Sequence, residues 1–476
     1  MTAEQDRELK RRGLMQHLTA LCVRYVERLM PDPYLFAVIL TLVVAGLVAL
    51  LVKDASASGM LKAWYGGVWG QQNIFTFAFQ MVLILVTGYT LAEAPILKRA
   101  IIRIASKPKN QVQGALLCFG VSALLSLLNW GLGLVAGALV ARQVAKRLGG
   151  SAHFGYLIAA AFMGFIVWTQ GLSSSIALAN TDASSPINVI HKVTGMNVPL
   201  SLTIFQPYSW ISVIVVLAVL ALAIWRMAPA EGLEPDPAVF EDEDEAADTS
   251  ERDPGAKRTF AEWLENLWIL NVLVFAAGIT YFVLSHFALN ISSMIMLFTV
   301  TSALLHRTPI RFIRAFSGAA KVSGPLLLQY PLYGGLVGLL GYLPSGPGAG
   351  KPLQTVLAEA LVTGANQYTL PFLTFVGSVI ISLFVPSGGG HWAVQGPIAV
   401  DSALHVGQHS PAYLGLISMT VAVGEGVANM IQPFWLLPLL AIAKLNVRQV
   451  MGFTVIAFLI GFVILGGAVL IAPHFI

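Results

Sequence analysis

Eleven long apolar stretches, separated by polar connections, decide what this sequence can fold into. Charged residues make up only 11% of the chain, whereas a soluble globular chain carries roughly 25%. Too few charges remain to cover a water-facing surface, so the sequence predicts an all-α polytopic membrane protein. The apolar stretches are residues 33–52, 71–92, 113–140, 154–180, 199–226, 263–286, 289–305, 322–342, 370–399, 411–442 and 450–472.

Two of these stretches, 113–140 and 370–399, are too long for one span and too short for two, because a span needs about 20 apolar residues. The first breaks near Asn129-Trp130-Gly131, and the second at Pro386-Ser387-Gly388-Gly389-Gly390. Each arm would rise about 20 Å, less than a hydrocarbon core of about 30 Å. We therefore predict two re-entrant hairpins whose tips reach towards the middle of the membrane.

The distribution of positive charge predicts the topology. With a cytoplasmic N-terminal segment, residues 1–32, nine full spans and two hairpins place 24 of the 28 basic residues inside. The C-terminus then lies outside, and the two hairpins open to opposite sides of the membrane. The basic excess is typical of cytoplasmic loops, and it predicts no nucleic-acid partner. The basic residues left outside are Lys53, Lys62, Lys192 and Lys351.

A shift of 257 residues aligns both hairpin tips and the long segments that follow them. This spacing predicts an inverted repeat, the architecture of a secondary transporter. The predicted divisions are a first repeat at 33–228, an acidic cytoplasmic linker at 229–260, a linking transmembrane helix at 261–288 and a second repeat at 289–476. The linker contains 11 acidic residues between Glu231 and Asp253 and is expected to be disordered, although a regulatory role is the alternative.

Two further spans contain polar or glycine-rich breaks, at Thr169 to Ser175 and at Gly424 to Pro433. Unpaired backbone groups are costly in lipid, so such breaks persist where they are buried in protein or line a wet cavity. We expect the two tips and the two breaks to meet in the membrane, where helix N-termini favour an anion and freed oxygens favour a hard cation. Taken singly, each glycine cluster could instead serve close helix packing.

Glu425 and His391 are the ionisable residues that this topology places deep in the membrane, where such groups are functional candidates. The alternatives are a structural acceptor for Glu425 and a neutral cap of the second tip for His391. The topology puts no Arg or Lys in the inner part of a span, which favours a small monocarboxylate over a dicarboxylate or phosphate.

Several motifs resemble the bacterial short-chain fatty acid transporter family, from about residue 20 to the C-terminus without the acidic linker. They are Pro31-Asp32-Pro33, Asn129-Trp130-Gly131-Leu132-Gly133, Val385-Pro386-Ser387-Gly388-Gly389-Gly390-His391-Trp392, Gln395-Gly396-Pro397, Gly424-Glu425, Asn429-Met430 and Gln432-Pro433-Phe434-Trp435. The resemblance implies uptake of acetoacetate, butyrate and similar acids. It also implies likeness to the wider superfamily of sodium-coupled dicarboxylate carriers, with a scaffold domain, an elevator-like transport domain and a homodimer.

The sequence departs from the family pattern at Gly426-Val427, where the family has a Gln-Trp pair, and at Ser174 and Ala177, where it has glycine and proline. The hypothesis is a symporter of short-chain monocarboxylates in a bacterial inner membrane, coupled to Na⁺ or H⁺ and without another cofactor. The alternatives are a C4-dicarboxylate transporter, a channel and, against the motif evidence, an intramembrane hydrolase. By position, the resemblance implies a Na⁺ site at Asn129 and Ser387. Candidate substrate-binding residues are Asn129, Trp130, Gly131, Ser173, Ser174, Ser175, Ser387, Gly388, Gly389, Gly390, His391 and Asn429. Candidate coupling-ion residues are Asn129, Ser387, Glu425, Asn429 and Gln432.

Overall fold

The computed structural model describes residues 33–70, 75–183, 185, 187–237, 239–240, 259–287, 289, 291–344, 350–385 and 388–476. Within these ranges the protein is helical, without a strand longer than one isolated bridge, which confirms the predicted all-α class. The helices of the first half are α1 Pro33–Leu51, α2 Ala57–Trp69, α3 Phe75–Ala92, α4 Pro95–Ala105, α5 Gln111–Leu128, α6 Trp130–Leu148, α7 Phe154–Gly164, α8 Ser175–Ala179, α9 Val189–Thr194 and α10 Pro207–Arg226. Those of the second half are α11 Phe260–Glu265, α12 Trp268–Leu284, α13 Ile291–Leu305, α14 Pro309–Ala320, α15 Gly324–Leu340, α16 Leu353–Val362, α17 Leu370–Phe384, α18 Gly388–His405, α19 Pro411–Ala428, α20 Leu437–Ala443 and α21 Arg448–Ile471.

Many of these helices have the length and composition of membrane spans. Among the described residues five are long and apolar enough to cross a membrane, or six if α3 and α4, which meet at 71°, form one span. Large apolar side chains are exposed along α10 and α12, as expected of surfaces that face lipid. The number of crossings stays a prediction. The five candidates are Gln111–Leu128, Phe154–Ala179, Pro207–Arg226, Pro411–Ala428 and Arg448–His474.

Helices α5 and α6 form an antiparallel hairpin that turns at Asn129. A Cβ atom on Gly137 would lie 2.9 Å from the Cβ of Ser122, and one on Gly114 would lie 2.6 Å from Val144. The two residues of each pair lie on opposite arms at nearly equal distances along the chain from Asn129, as expected for antiparallel helices. The chain therefore enters and leaves the hairpin at one end, while insertion half-way into a membrane stays a prediction.

The arms of this hairpin are longer than the sequence analysis assumed. They contain 18 and 19 residues, so each rises about 27 Å rather than about 20 Å. The inference from arm length was therefore wrong, because α6 continues beyond residue 140 to Leu148. The extension carries Arg142, which is buried and lies beyond the predicted stretch 113–140. Arg142 lies about 18 Å along α6 from Trp130, too far to reach the tip.

Helices α17 and α18 are the arms of the second predicted hairpin, and α18 continues past residue 399 to His405. Gln395 on α18 donates from Nε2 to the carbonyl oxygen of Thr374 on α17, at 2.9 Å. Pro386 and Ser387, at the predicted tip, lie outside the described residues. Helix α17 also packs closely on α19, which places this hairpin against the second broken span.

The segments that follow the hairpins keep the predicted spacing of 257 residues. Helix α7 begins at Phe154 and α19 at Pro411, and both are capped one residue earlier. His153 Nδ1 accepts from Tyr156 N, and Ser410 Oγ accepts from Tyr413 N, each at 3.2 Å. The elements thus recur at the aligned positions, while the inverted orientation of the two copies stays a prediction.

The two broken spans differ in where the helix ends. After α7 the chain tightens into a 3₁₀ turn at Phe165–Gln170 and leaves helical geometry at Gly171 to Ser174, close to the predicted break. Helix α19, however, runs without interruption to Ala428. The predicted start of the second break at Gly424 was therefore wrong: Gly424 and Glu425 are helical, and the break begins at Asn429.

The first part of the predicted linker is ordered. Leu233 N donates to the carbonyl oxygen of Ala152, and Phe154 N donates to that of Leu233. Thr259 and Glu262 form a capping box at the start of α11. Residues 229–237 and 259–260 therefore belong to the folded part, in contrast to the predicted disorder over 229–260. The acidic run 241–258 and residues 1–32 lie outside the described residues.

Candidate functional site

The tip of the first hairpin rests on the first broken span. Trp130 N donates to Ser173 Oγ at 2.9 Å, and Leu172 N donates to the carbonyl oxygen of Leu127 at 2.7 Å. A Cβ atom on Gly171 would lie 2.5 Å from that same carbonyl oxygen, so only glycine fits there. The close approach brings the start of α6 and the unwound segment together, as predicted.

Asn129 caps α6 at this tip. Its backbone is extended, with φ −151° and ψ 125°, and its Oδ1 accepts from Leu132 N at 3.0 Å. Asparagine is among the best residues for this purpose because its short side chain replaces a missing helix acceptor. Asn129 and Trp130 are both buried, at 1% exposure. The first tip is therefore capped and shielded from solvent.

The start of α18 meets the same region from the second repeat. A Cβ atom on Gly388 would collide with Ser175 Oγ, and it would lie 3.2 Å from Trp168 and 3.3 Å from Glu425 Oε2. Residues of both broken spans thus surround the first turn of α18. The structure therefore brings Ser175, Gly388 and Glu425 together, while Ser387 lies outside the described residues. Of the other predicted residues near this point, Gly131, Ser173, Ser174 and Gly389 are buried and Gly390 is partly buried.

Asn429 joins the second break to the first. Its Oδ1 accepts from the indole Nε1 of Trp168 at 2.9 Å, and its Nδ2 has no hydrogen-bond partner among the described residues. Both residues are buried, with exposures of 0% and 2%. The amide therefore has a free donor inside the cluster of predicted site residues.

A cluster of aromatic rings lies beside these polar groups. The ring of Trp130 packs on Trp435 with centroids 4.7 Å apart, and Trp168 stacks on Phe165 at 5.5 Å. The sequence analysis missed Trp168 and Phe165, which precede the predicted break. The signal was available, since Trp168 directly precedes Thr169 and a buried indole N–H needs a partner.

Gln432 uses both ends of its amide in hydrogen bonds within the protein. Its Nε2 donates to Tyr333 Oη at 3.1 Å, and its Oε1 accepts from Phe434 N at 2.9 Å. The side chain thus ties the second break to α15. Its proposed role as a ligand of the coupling ion stays a prediction that these contacts do not favour.

His391 and Glu425 approach each other across α18 and α19. His391 Nδ1 lies 3.9 Å from Glu425 Oε2, and both side chains are 0% exposed. His391 Nε2 lies 2.7 Å from Gln395 Oε1. Neither oxygen of Glu425 has a hydrogen-bond partner among the described residues. The two ionisable candidates of the sequence analysis therefore form one buried pair.

A sodium site was implied at Asn129 and Ser387. Sodium needs hard oxygen ligands, and Asn129 Oδ1 and Asn429 Oδ1 each accept one N–H and keep a second lone pair. Ser387 lies outside the described residues. The donor chemistry is compatible with a cation, and the site itself stays a prediction.

Comparisons with known proteins agree with one another. The family model described as "Short chain fatty acid transporter" matches residues 14–471. A protein of Escherichia coli K12 is 36% identical over 95% of this chain and 98% of its own length. One of Haemophilus influenzae Rd is 32% identical over 93% of this chain and 97% of its own. Both carry the name "Putative short-chain fatty acid transporter", so the chain resembles proteins named as transporters and not as enzymes.

Among solved structures, the YdaH transporter of Alcanivorax borkumensis aligns with a TM-score of 0.45 and 16% identity, over 93% of this chain and 98% of that chain.

Proposed function

The chain belongs to the short-chain fatty acid transporter family, and we propose that it imports small monocarboxylates such as acetoacetate and butyrate as a secondary active transporter. Its apolar helices make it a multi-pass membrane protein. The proposal includes a bacterial inner membrane location, a cytoplasmic N-terminus and coupling to a cation gradient. The observation that carries it is the meeting of α6, α18 and both broken spans at one buried polar cluster.

Helix N-termini supply the charge that a carboxylate needs. The N-termini of α6 and α18 both lie in this cluster, and each carries a partial positive charge of about half an elementary charge. The first turn of α18 consists of Gly388, Gly389 and Gly390, whose backbone a ligand can approach closely. The free Nδ2 of Asn429 adds a donor. These groups suit one carboxylate bound between the tips.

The surroundings favour one negative charge and an apolar tail. His391 is the cationic candidate among the described residues of the cluster, because Arg142 lies about three turns away along α6. A second substrate carboxylate would therefore find no further cationic partner among the described residues of the cluster. The rings of Trp130, Trp168 and Trp435 offer an apolar wall for a short alkyl chain.

Movement of a transport domain against a scaffold is part of this proposal, as is a homodimer. Helix α3 packs on the first hairpin without intervening side chains. A Cβ atom on Gly88 would lie 2.8 Å from Leu132 N, and one on Gly131 would lie 2.8 Å from the carbonyl oxygen of Ile84. Helix α2 packs on α15 in a similar way, through Gly67 and Gly338. We assign α2, α3 and α15 to the scaffold, and the two hairpins with α7 and α19 to the moving part.

The test is counterflow of labelled acetoacetate in proteoliposomes that contain unlabelled acetoacetate. Protein-free liposomes give the baseline, because undissociated short-chain acids cross lipid unaided. Uptake under an inward Na⁺ gradient and, separately, under an inward proton gradient identifies the coupling ion. Counterflow at the protein-free rate would contradict the proposal.

The same assay tests the dicarboxylate alternative. Succinate in excess is expected to leave acetoacetate counterflow unchanged, because its second carboxylate would have no cationic partner among the described residues of the cluster. Strong inhibition by succinate, together with counterflow of labelled succinate, would favour a C4-dicarboxylate transporter. A channel would show flux that does not depend on unlabelled acid on the opposite side.

A further inference from the structure

Gln395 fixes where the protons on His391 lie. Because Gln395 Nε2 donates to the carbonyl oxygen of Thr374, its Oε1 faces His391 Nε2 at 2.7 Å and must accept. His391 Nε2 therefore carries a proton in the neutral ring. His391 Nδ1 is then unprotonated and carries a lone pair, and it lies 3.9 Å from Glu425 Oε2.

Neutral His391 beside ionised Glu425 leaves a buried charge uncompensated, and one additional proton on the pair removes it. A carboxylate facing an imidazole lone pair would be a buried charge without a donor, which is costly. A proton on either Glu425 or His391 Nδ1 removes this uncompensated charge. Protonated His391 forms an ion pair with Glu425 at the observed 3.9 Å, and a hydrogen bond forms once the two side chains move about 1 Å closer. In both cases the pair is neutral overall and the extra proton belongs to both residues.

No other titratable group takes part. Helix α18 packs against α8, α9, α16, α17 and α19, and α19 also packs against α8, α21 and the 3₁₀ turns Phe165–Gln170, Leu200–Leu202 and Ala472–His474. Among the described residues, Glu425 is the one charged partner within ion-pair distance of His391. Tyr413 on α19 is buried, but its hydroxyl donates to the carbonyl oxygen of Gln367. The remaining ionisable side chains on these elements lie at exposed or partly exposed helix ends, and they are His191, Lys192, Glu359, Asp401, His405, Arg448 and His474.

We propose that the His391–Glu425 pair carries the proton that is transported with the carboxylate, which makes the protein a proton–monocarboxylate symporter. This inference rests on the proposed function. Glu425 Oε2 lies beside the first residue of α18, where the anion would bind. The unprotonated pair and a bound anion would together carry a charge of −2, whereas the protonated pair and the anion together carry −1. Proton and anion therefore raise each other's affinity.

The charge balance also fits a transport cycle. The empty, unprotonated site and the loaded, protonated site both carry a net charge of −1, facing the same two helix N-termini. Both states can therefore be buried at similar electrostatic cost during the movement, while the state with the anion alone cannot. On the side of release, water reaches the pair, the proton leaves and the carboxylate follows.

The test compares Glu425→Gln with wild type in proteoliposomes. Glutamine resembles the protonated acid, so counterflow of acetoacetate is expected to continue, since it needs no net proton movement. Accumulation driven by an inward proton gradient should fall at least about tenfold, because the variant cannot release a proton. Glu359→Gln is the matched control, since Glu359 is an exposed carboxylate paired with Lys351, and it should accumulate acetoacetate as wild type does.

Three outcomes would overturn the inference. Glu425→Gln could accumulate acetoacetate as wild type does, or a Na⁺ gradient alone could drive accumulation in wild type. If the variant fails to fold or loses counterflow, wild type decides: calorimetric binding of acetoacetate in buffers of different ionisation enthalpy must show that the protein takes up protons as the anion binds. The third outcome that would overturn the inference is the absence of proton uptake when acetoacetate binds. A wild-type protein without any counterflow would instead contradict the proposed function.

Discussion

Trp168 donates its indole N–H to Asn429 Oδ1 at 2.9 Å, across 261 positions of the sequence. This bond joins the 3₁₀ turn that precedes the first break to the start of the second break, beside the points where both hairpins begin their second helices. Both residues are buried, so the bond fixes one segment relative to the other without competition from water.

Trp168→Phe should therefore loosen the site. The phenylalanine ring would still pack on Phe165, but neither Oδ1 nor Nδ2 of Asn429 would then have a hydrogen-bond partner among the described residues. A buried group left without a hydrogen bond costs about 1–3 kcal/mol, so the thermal unfolding temperature in detergent should fall. Acetoacetate counterflow should fall with it. Trp210→Phe, an exposed position on α10, is the control, and equal unfolding temperatures for the two variants would contradict the prediction.

Gly388→Ala should abolish or strongly reduce transport. The added methyl group would collide with Ser175 Oγ and would press on Trp168 at 3.2 Å. Overpacking of this kind costs about 1–3 kcal/mol and displaces the start of α18. Removal of the hydroxyl in Gly388→Ala/Ser175→Ala should restore part of the counterflow. A double variant that is no better than Gly388→Ala would show that the loss has another cause.

The sequence predicted the parts of this site that depend on local chemistry. Asn129, Gly171 and the Gly388 turn interrupt apolar runs with residues that cap or unwind helices, and the structure has helix ends at or beside each of them. The spacing of 257 residues was readable for the same reason, because both copies repeat the interruptions in the same order.

Tertiary contacts account for what the sequence did not predict. Gly424 was predicted to belong to a break, yet it is helical. The glycine allows close packing of α19 on α17, because a Cβ atom on Gly424 would lie 2.5 Å from the Cβ of Ser378. The burial of Arg142 could not be foreseen, since it depends on neighbours of α6 that are distant in sequence. The His391–Glu425 contact likewise joins two helices whose packing no local pattern specifies.

Gly131→Ala should slow transport more than it destabilises the hairpin. Its Cβ would lie 2.8 Å from the carbonyl oxygen of Ile84 on α3, at the contact that we assign to scaffold and moving part. Gly120→Ala, on the other arm of the same hairpin, has no atom within 4 Å of its added Cβ and serves as control. Gly120 lies in the interior of α5, where alanine favours the helix by about 1 kcal/mol over glycine, whereas Gly131 lies in the first turn of α6, so counterflow rates are compared at equal amounts of folded protein. Equal counterflow rates for the two variants would argue against a moving contact there.

His153 should make the stability of the first broken span depend on pH. Its Nδ1 accepts from Tyr156 N and caps α7, a bond that protonation of Nδ1 removes. Partial burial lowers the pKa of His153 from its ordinary value of 6.5, although a backbone hydrogen bond and the charge of Glu231 oppose the effect. Because the folded pKa is the lower one, the unfolded chain takes up a proton first, and stability falls as the pH drops through about 6.5 until it passes below the folded pKa.

The second repeat supplies the variant that isolates this effect, since Ser410 caps α19 at the aligned position. His153→Ser should keep the cap and remove this pH dependence, whereas His153→Ala should lose the cap at every pH, at a cost of about 1 kcal/mol. Unfolding temperatures of the three proteins at about pH 7.5 and about pH 5.5 provide the measurement. The wild-type temperature should fall on acidification by more than that of His153→Ser. If both fall equally, the pH dependence arises from other groups and His153 is only a structural cap.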